Sequence, residues 1–430
     1  MRRTPDAIDT ARDGAGTPVD KLSHPSLDTP TPNSSESPSM DHEQQVALMR
    51  QAFAHIDAGT TDLAESVFFN PVAAYCSPQR LARESALLFR EYPLLMGLSN
   101  QIPEPGDHFT DDHTGIPILV VRGNDGRARA FQNVCRHRGA RVAEGCGRQK
   151  NFVCPYHGWT YGLEGQLRGI PDQRNFPGVE REAHGLVPLP MAERHGMLWV
   201  QPSVGPDGIE LDAQRHLGAL DAEFASFGLD KYHHYETREI RRQMNWKLVI
   251  DTFLESYHFS VLHRNSVAPL FYPNLCLFKP FGLHLREVLP RRSLESQRGL
   301  PESEWDLIPH HTIVYVLFPN TVFVMQVDHV ETWRVYPVPG KVDECVMYLD
   351  FHVPNPIDSD SARRHWQRNM DLTIRTVCEE DFPASEGMQR GFSSGAQTHS
   401  TYGRNEPALA HFQRTVAQAI GEFNPAGDAA

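Results

Sequence analysis

The 430-residue chain contains no run of 18 or more apolar residues, which excludes a membrane-spanning helix by the usual length criterion. It is also poor in cysteine. Seven residues, an odd count, argue against a disulfide framework and fit a reducing cytoplasm, where such cysteines are buried, catalytic or metal-bound. Basic side chains are in the minority: 41 Lys and Arg face 54 Asp and Glu, and the net charge of −13 excludes the broad basic face of a nucleic-acid binder. Met1-Arg2-Arg3 is followed by no apolar stretch, so neither a secretory nor a twin-arginine signal is expected. No G-x-G-x-x-G follows a strand and no plant-type ferredoxin cysteine pattern occurs, so a nicotinamide site and a reductase are not built in. No internal repeat is present. What remains is a soluble, cytoplasmic enzyme, with 40% apolar and 9% aromatic residues, enough for two or three domains.

Residues 1–42 read as a disordered tail, because Thr29 to Met40 (TPTPNSSESPSM) offers almost nothing apolar against its ordering entropy. Val46, Met49 and Phe53 then recur at helical spacing up to Gly59, and Ser77-Pro78 opens a second helix running to Tyr92. Between about Gly97 and Gln201 the short runs IPILVVR, ARAFQNV, NFVCPY and GMLWVQP alternate with Gly, Asp, Asn and Pro, the grammar of a small all-β module. From Tyr235 onward helices and strands mix. A helix is expected over Trp246 to Tyr257, antiparallel strands over HTIVYVLF, TVFVMQV, TWRVYPV and YLDFHV, and helices over Ser359 to Glu380 and Glu406 to Phe423. The fold class is α+β, with the β module inserted into a domain built from both flanks.

Cys135-Arg136-His137 and Cys154-Pro155-Tyr156-His157 form C-x-H, sixteen residues, then C-x-x-H, each arm on a loop flanked by glycines such as Gly139 and Gly158. A structural zinc finger groups its cysteines in one arm and its histidines in the other, whereas here each arm carries one of each. A Rieske [2Fe–2S] centre, with two Cys on one iron and two His on the other, draws on such a supply; zinc is the lesser alternative. Further on, Glu255, His258 and His263 are spaced E-x-x-H-x4-H. The two histidines lie about 140° apart round an ideal helix, so both reach one metal only if the helix ends or loosens between them.

NVCRHRGARVAEGCG and FVCPYHGWTYGLEGQL resemble the Rieske domain of the Rieske-type non-haem iron oxygenases, and Asn245-Trp246-Lys247, Tyr257-His258 and His263 are similar to that family's mononuclear iron segment. The resemblance covers roughly residues 75 to 400. It implies an all-β Rieske domain (97–203) inserted into a helix-grip-like catalytic domain with an antiparallel sheet (43–96 and 204–425). It assigns Cys135, His137, Cys154 and His157 to the cluster and gives Cys146 no ligand role. It implies mononuclear Fe(II) on His258, His263 and a carboxylate from CEEDFPASEGMQRGF, where Asp381 matches and Glu379 and Glu380 are rivals. Glu255 falls on the carboxylate that carries electrons from a neighbouring subunit's cluster. The resemblance further implies a homotrimer, a separate NAD(P)H-dependent reductase or ferredoxin, and a small organic substrate hydroxylated with dioxygen. Arg136, Arg138, Arg141, Arg148 and Lys150 could dock an acidic ferredoxin, though ordinary solvated loops explain them equally well.

Many ring-hydroxylating members carry Asp where this chain has Glu255, and Asn where it has Thr252, with one more residue between Lys and Tyr-His. In these respects the chain resembles the carnitine and betaine monooxygenase branch. An aromatic substrate is the leading expectation, with Phe323 and Met325 walling a pocket for a flat ligand. An N-methyl, quaternary ammonium or aliphatic substrate is the alternative, and a Rieske electron carrier without oxygenase activity is the reading from another class.

Overall fold

The computed structural model describes residues 42–204 and 210–422. The expected tail lies outside them except for His42, which opens the first helix. That helix, His42–Ala58, buries Val46, Met49 and Phe53 and stops at Gly59, whose φ of +62° suits a residue without a Cβ. A second helix, Pro78–Glu91, starts as the sequence predicts: the Ser77 side chain accepts a hydrogen bond from the Arg80 backbone N–H, and Pro78 fills the first turn.

The strand Leu94–Leu98 pairs with Met197–Val200, so the chain enters and leaves the intervening segment side by side. Among the described residues of that segment there is no α-helix. Its strands form a five-stranded sheet (Asp107–Asp111, Ile118–Arg122, Ala128–Gln132, Cys146–Arg148 and Pro188–Leu189) and a three-stranded one (Phe152–Val153, Thr160–Tyr161 and Leu167–Gly169). The expected NFVCPY strand shrinks to two residues because Cys154 already belongs to a tight loop.

Beyond it, an antiparallel sheet runs in the order His233–Arg242, Cys345–Val353, Val330–Pro337, Thr321–Met325, His311–Leu317, His284–Pro290, Leu277–Phe281. Side chains alternate across it. Leu289, Val314 and Val324 face one side, whereas Ile313, Tyr315, Phe323 and Met325 belong to a separate core on the other.

Both flanks of the insertion share one core, and buried charge ties them together. Glu84 of the second helix accepts from Lys247 Nζ at 2.7 and 2.8 Å and from Trp246 Nε1 at 2.9 Å, with Lys247 and Glu84 fully buried. Burial holds the Lys247 ammonium below its ordinary value, and Glu84 works against that shift. Phe89 meets Trp246 edge to face at 5.2 Å. From the C-terminal helix Pro407–Ala419, Gln413 Nε2 donates to Asp251 at 2.8 Å. Burial pushes the Asp251 carboxyl up to about 7.

Two further elements differ from expectation, and both lie at the site. The helix begun by Trp246 ends at Asp251 instead of Tyr257, with Thr252 Oγ1 donating back to the Leu248 carbonyl at 3.0 Å, and a short helix, Phe259–Leu262, follows. The helix Asp360–Thr373 widens into a π-helix over Ile374–Asp381 and returns to α geometry over Phe382–Ser393. No helix among the described residues is long and apolar enough to cross a membrane.

Glu84→Ala should strand a buried ammonium and an indole N–H without their acceptor, at a cost of about 3–5 kcal/mol. Urea denaturation should register this as a lower midpoint, and an unchanged midpoint would remove the pair from the list of structural ties.

Candidate metal centres

The two Cys–His arms fold as near copies. In one, Cys135 N–H donates to the Ala140 carbonyl at 2.8 Å and Gly139 N–H to the Cys135 carbonyl at 2.9 Å; in the other, Cys154 N–H donates to Trp159 at 2.8 Å and Gly158 N–H to Cys154 at 3.0 Å. Gly139 and Gly158 take φ of +82° and +74°, which closes each turn. Cys135 and Cys154 are 2% and 3% exposed, and the Cys135 thiol is pushed up first by burial and in part by Cys154 beside it. Tyr161 Oη sits 3.3 Å from Cys135 Sγ and accepts from the Arg136 backbone N–H at 2.9 Å. The imidazoles of His137 and His157 lie further out, their ring centres 4.7 Å apart, with His137 stacked on Trp159. Arg138 Nη2 donates to His157 Nε2 at 2.8 Å. Desolvation and the Arg138 charge hold His157 below its ordinary value, the neutral form that metal ligation needs. Two buried thiols side by side and two outer imidazoles side by side fit a two-iron cluster with different ligands on each iron. Cys146 is exposed on a strand and stands apart from them.

The second centre is assembled by the two irregular elements. Because the helix stops at Asp251, His258 and His263 sit at the two ends of the short Phe259–Leu262 helix, and their ring centres come within 5.0 Å. The π-helix delivers Asp381, whose Oδ1 lies 3.0 Å from His263 Nε2 and 3.4 Å from His258 Nε2. Ligand atoms of all three residues fall within 4.8 Å of one another. The opposite nitrogen of each imidazole is already taken. Glu255 hydrogen-bonds His258 Nδ1 and accepts from the His258 backbone N–H at 3.1 Å, while Glu380 Oε2 lies 2.7 Å from His263 Nδ1 and accepts from Ser266 Oγ at 2.7 Å.

Burial opposes charge on His258, but Asp381 and Glu255 outweigh it and raise the imidazole to about 9; His263 is raised against burial by Asp381 and Glu380. The field that favours a proton here equally favours a divalent cation. Two imidazoles and one carboxylate, each imidazole oriented by a second carboxylate, suit Fe(II) with open coordination positions. Of the three acidic candidates, Asp381 alone meets both Nε2 atoms, Glu380 holds His263 from behind, and Glu379 is exposed.

A cavity of about 320 Å³ opens onto this centre. Phe253, Phe259 and Phe271 line it together with Leu289, Val314 and Val324 from the sheet. The strands expected to wall the pocket do so, but not through Phe323 and Met325. One-residue alternation sends those two to the far side of the sheet, into the opposite core. Sequence reasoning also passed over Glu380 as a hydrogen-bond partner, and over Arg291, Thr312 and Gln326, which form a polar corner of the cavity.

Asp381→Ala should abolish iron binding at this centre while the cluster and its colour remain; metal analysis and the Rieske electron paramagnetic resonance signal report the two separately. Glu380→Gln should weaken iron binding by about 10–100-fold without removing it. Full iron content in Asp381→Ala would take that residue out of the ligand set.

The ring hydroxylating alpha subunit catalytic domain matches residues 229–422, and the Rieske [2Fe–2S] domain matches residues 93–186. The chain is 25% identical to the chloroplastic choline monooxygenase of Spinacia oleracea over 97% of its own length and 88% of that protein. It is 26% identical to the carnitine monooxygenase oxygenase subunit of Acinetobacter baumannii over 81% and 94% of the two chains. Its fold matches that of the quaternary ammonium Rieske monooxygenase CntA in complex with L-carnitine, with a TM-score of 0.69, 20% identity and coverage of 83% and 96%. With the two centres built as described, these matches establish that the chain belongs to the Rieske non-haem iron oxygenases, as an alpha, or oxygenase, subunit with a Rieske [2Fe–2S] domain and a mononuclear iron catalytic domain.

Proposed function

We propose that this oxygenase acts on a small N-methylated or quaternary ammonium compound. The observation that carries this reading is the composition of the cavity beside His258, His263 and Asp381. Its lining includes Phe253, Phe259 and Phe271 together with the carboxyl groups of Asp328 and Glu331. Burial opposes ionisation of Glu331, but His329, Thr373 and Trp333 hydrogen-bond it and keep its carboxyl below its ordinary value. The substrates in the names of the two curated relatives, choline and carnitine, favour this reading over an aromatic one.

We assign Cys135, His137, Cys154 and His157 to the cluster and His258, His263 and Asp381 to the iron. The cluster domain is 97–203, and its flanks, 43–96 and 204–425, form the iron domain; the buried Glu84–Lys247 pair and the Phe89–Trp246 contact support that grouping. When bound, the cluster relays single electrons and the iron supports hydroxylation with dioxygen. Around them, Glu255 and Glu380 fix the imidazoles, and the apolar wall keeps water from the reacting carbon. Rieske oxygenases draw their electrons from a reductase or ferredoxin. The basic residues near the cluster offer limited docking charge, since Arg141 pairs with Asp112 at 2.9 Å and Arg148 with Asp107 at 2.6 Å. A homotrimer in the cytoplasm completes the proposal. Exposed apolar side chains at both ends of the electron path support the assembly: Tyr156 near the cluster, and Tyr257 and Val261 near the iron site, at 60%, 63% and 74% exposure.

Two experiments test this. With a Rieske reductase and NADH, choline, glycine betaine or L-carnitine should give oxygen uptake matched by product, while naphthalene should give none; coupled oxidation of the arene would overturn the substrate reading. Glu255→Gln keeps the side-chain length and removes the charge. It should retain both metals yet lower coupled turnover by about 100-fold or more, and normal turnover would remove Glu255 from the electron path.

A further inference from the structure

Arg291 lies just beyond the strand His284–Pro290 and lines the iron-site cavity. Its guanidinium stacks over Phe271, 5.1 Å from the ring centre, and its Nη2 donates to Thr312 Oγ1 at 3.0 Å and Gln326 Oε1 at 2.9 Å. Thr312 Oγ1 also donates to Gln326 Oε1 at 3.1 Å. That triangle fixes the guanidinium plane while using one of its three nitrogens. Nε is buried without a hydrogen-bond partner, and neither Nη1 nor the Gln326 amide nitrogen has one among the described residues. No ion pair joins Arg291 to a carboxylate of the described residues, although Asp328, on the same cavity wall, acts on it through its charge.

A guanidinium stays charged in a protein, and burial of Arg291, only partly countered by Asp328, carries a desolvation cost that an anion hydrogen-bonded to it would offset. The other ionised groups of the cavity are matched already. Glu331 is held by His329, Asp328 pairs with His329 and His365, and Asp381 serves the metal centre. Arg291 is left over, with free N–H groups in the planar arrangement that suits a carboxylate.

We propose that Arg291, with Gln326 and Thr312, binds a carboxylate on the substrate, so that the substrate is a carboxylated N-methyl ammonium compound, a betaine, and not an amino alcohol such as choline. This rests on the quaternary ammonium reading above and narrows it. The carboxylate sits in the Arg291 corner while the N-methyl end faces His258 and His263. Arg291 contributes to binding and selection, and the oxidation itself proceeds at the other end of the molecule.

The test is anaerobic calorimetry on the holoenzyme with glycine betaine, L-carnitine, choline and benzoate as probes, in wild type, Arg291→Gln and Arg291→Lys, with iron content and denaturation midpoint confirming intact variants. At least one betaine should bind wild type about tenfold or more tightly than choline. Arg291→Gln should erase that difference and leave the choline affinity unchanged, and Arg291→Lys should keep part of it. In turnover the loss in Arg291→Gln should fall on KM and not on kcat. Betaines and choline binding alike, with no effect of Arg291→Gln, would overturn the carboxylate role while leaving the ammonium reading intact. Benzoate binding that depends on Arg291, with no binding of any ammonium compound, would support the anion site and overturn the ammonium reading.

Discussion

The iron site depends on one constraint: each imidazole must present one chosen nitrogen, and a carboxylate behind it makes the choice. Glu255 occupies Nδ1 of His258, Glu380 occupies Nδ1 of His263, and both Nε2 atoms therefore turn toward Asp381. A histidine without such a partner can flip or change tautomer, and its lone pair then points where no ligand is needed. Orientation here comes from hydrogen bonds of stated geometry, and the backbone around the site is shaped to supply them.

That shaping explains the two irregular elements. A continuous α-helix through Trp246 to His263 would put the histidines on different faces, so the helix ends at Asp251 and a short one is set between them. On the other side, Glu380 and Asp381 are adjacent in sequence but serve opposite edges of the same imidazole. In the wider turn of the π-helix both side chains reach the site, one alongside and one in front. Helical regularity is given up at both places. Rigidity is recovered from the core behind, where Lys247, Trp246 and Asp251 are pinned to Glu84, Tyr75 and Gln413.

How much of this was legible in the sequence follows from how local each signal is. The four proposed cluster ligands sit in two contiguous arms that fold nearly on their own hydrogen bonds, so C-x-H and C-x-x-H already mark which side chains come together. The need for the helix to break between His258 and His263 was readable from their spacing alone. The position of the break was not, because Thr252 ends the helix through a side-chain bond that propensity does not mark. The pocket wall was half legible: alternation in TVFVMQV says that Phe323 and Val324 face opposite ways, but which face meets the iron depends on where the helices lie. Nothing near Arg291 in PRRSLES distinguishes it from its neighbour Arg292, since its meaning comes from Thr312, Gln326 and Phe271, brought in from other parts of the chain.

The charges near the bridge position complete the argument. Glu255 has two acidic neighbours, Glu287 and Glu406, each raised first by burial, with Glu255 itself adding to the shift. Glu287 is fully buried with both oxygens unpartnered, and burial pushes its carboxyl well above its ordinary range. Glu255 has closer partners. It lies against a His258 that carries positive charge or binds a metal, and it accepts a backbone N–H as well. Of these three carboxylates, Glu255 alone touches a histidine of the iron site. The hydrogen bonds of Glu255 to the His258 ring and backbone hold that imidazole in place at the metal centre, whatever the number of acidic residues nearby.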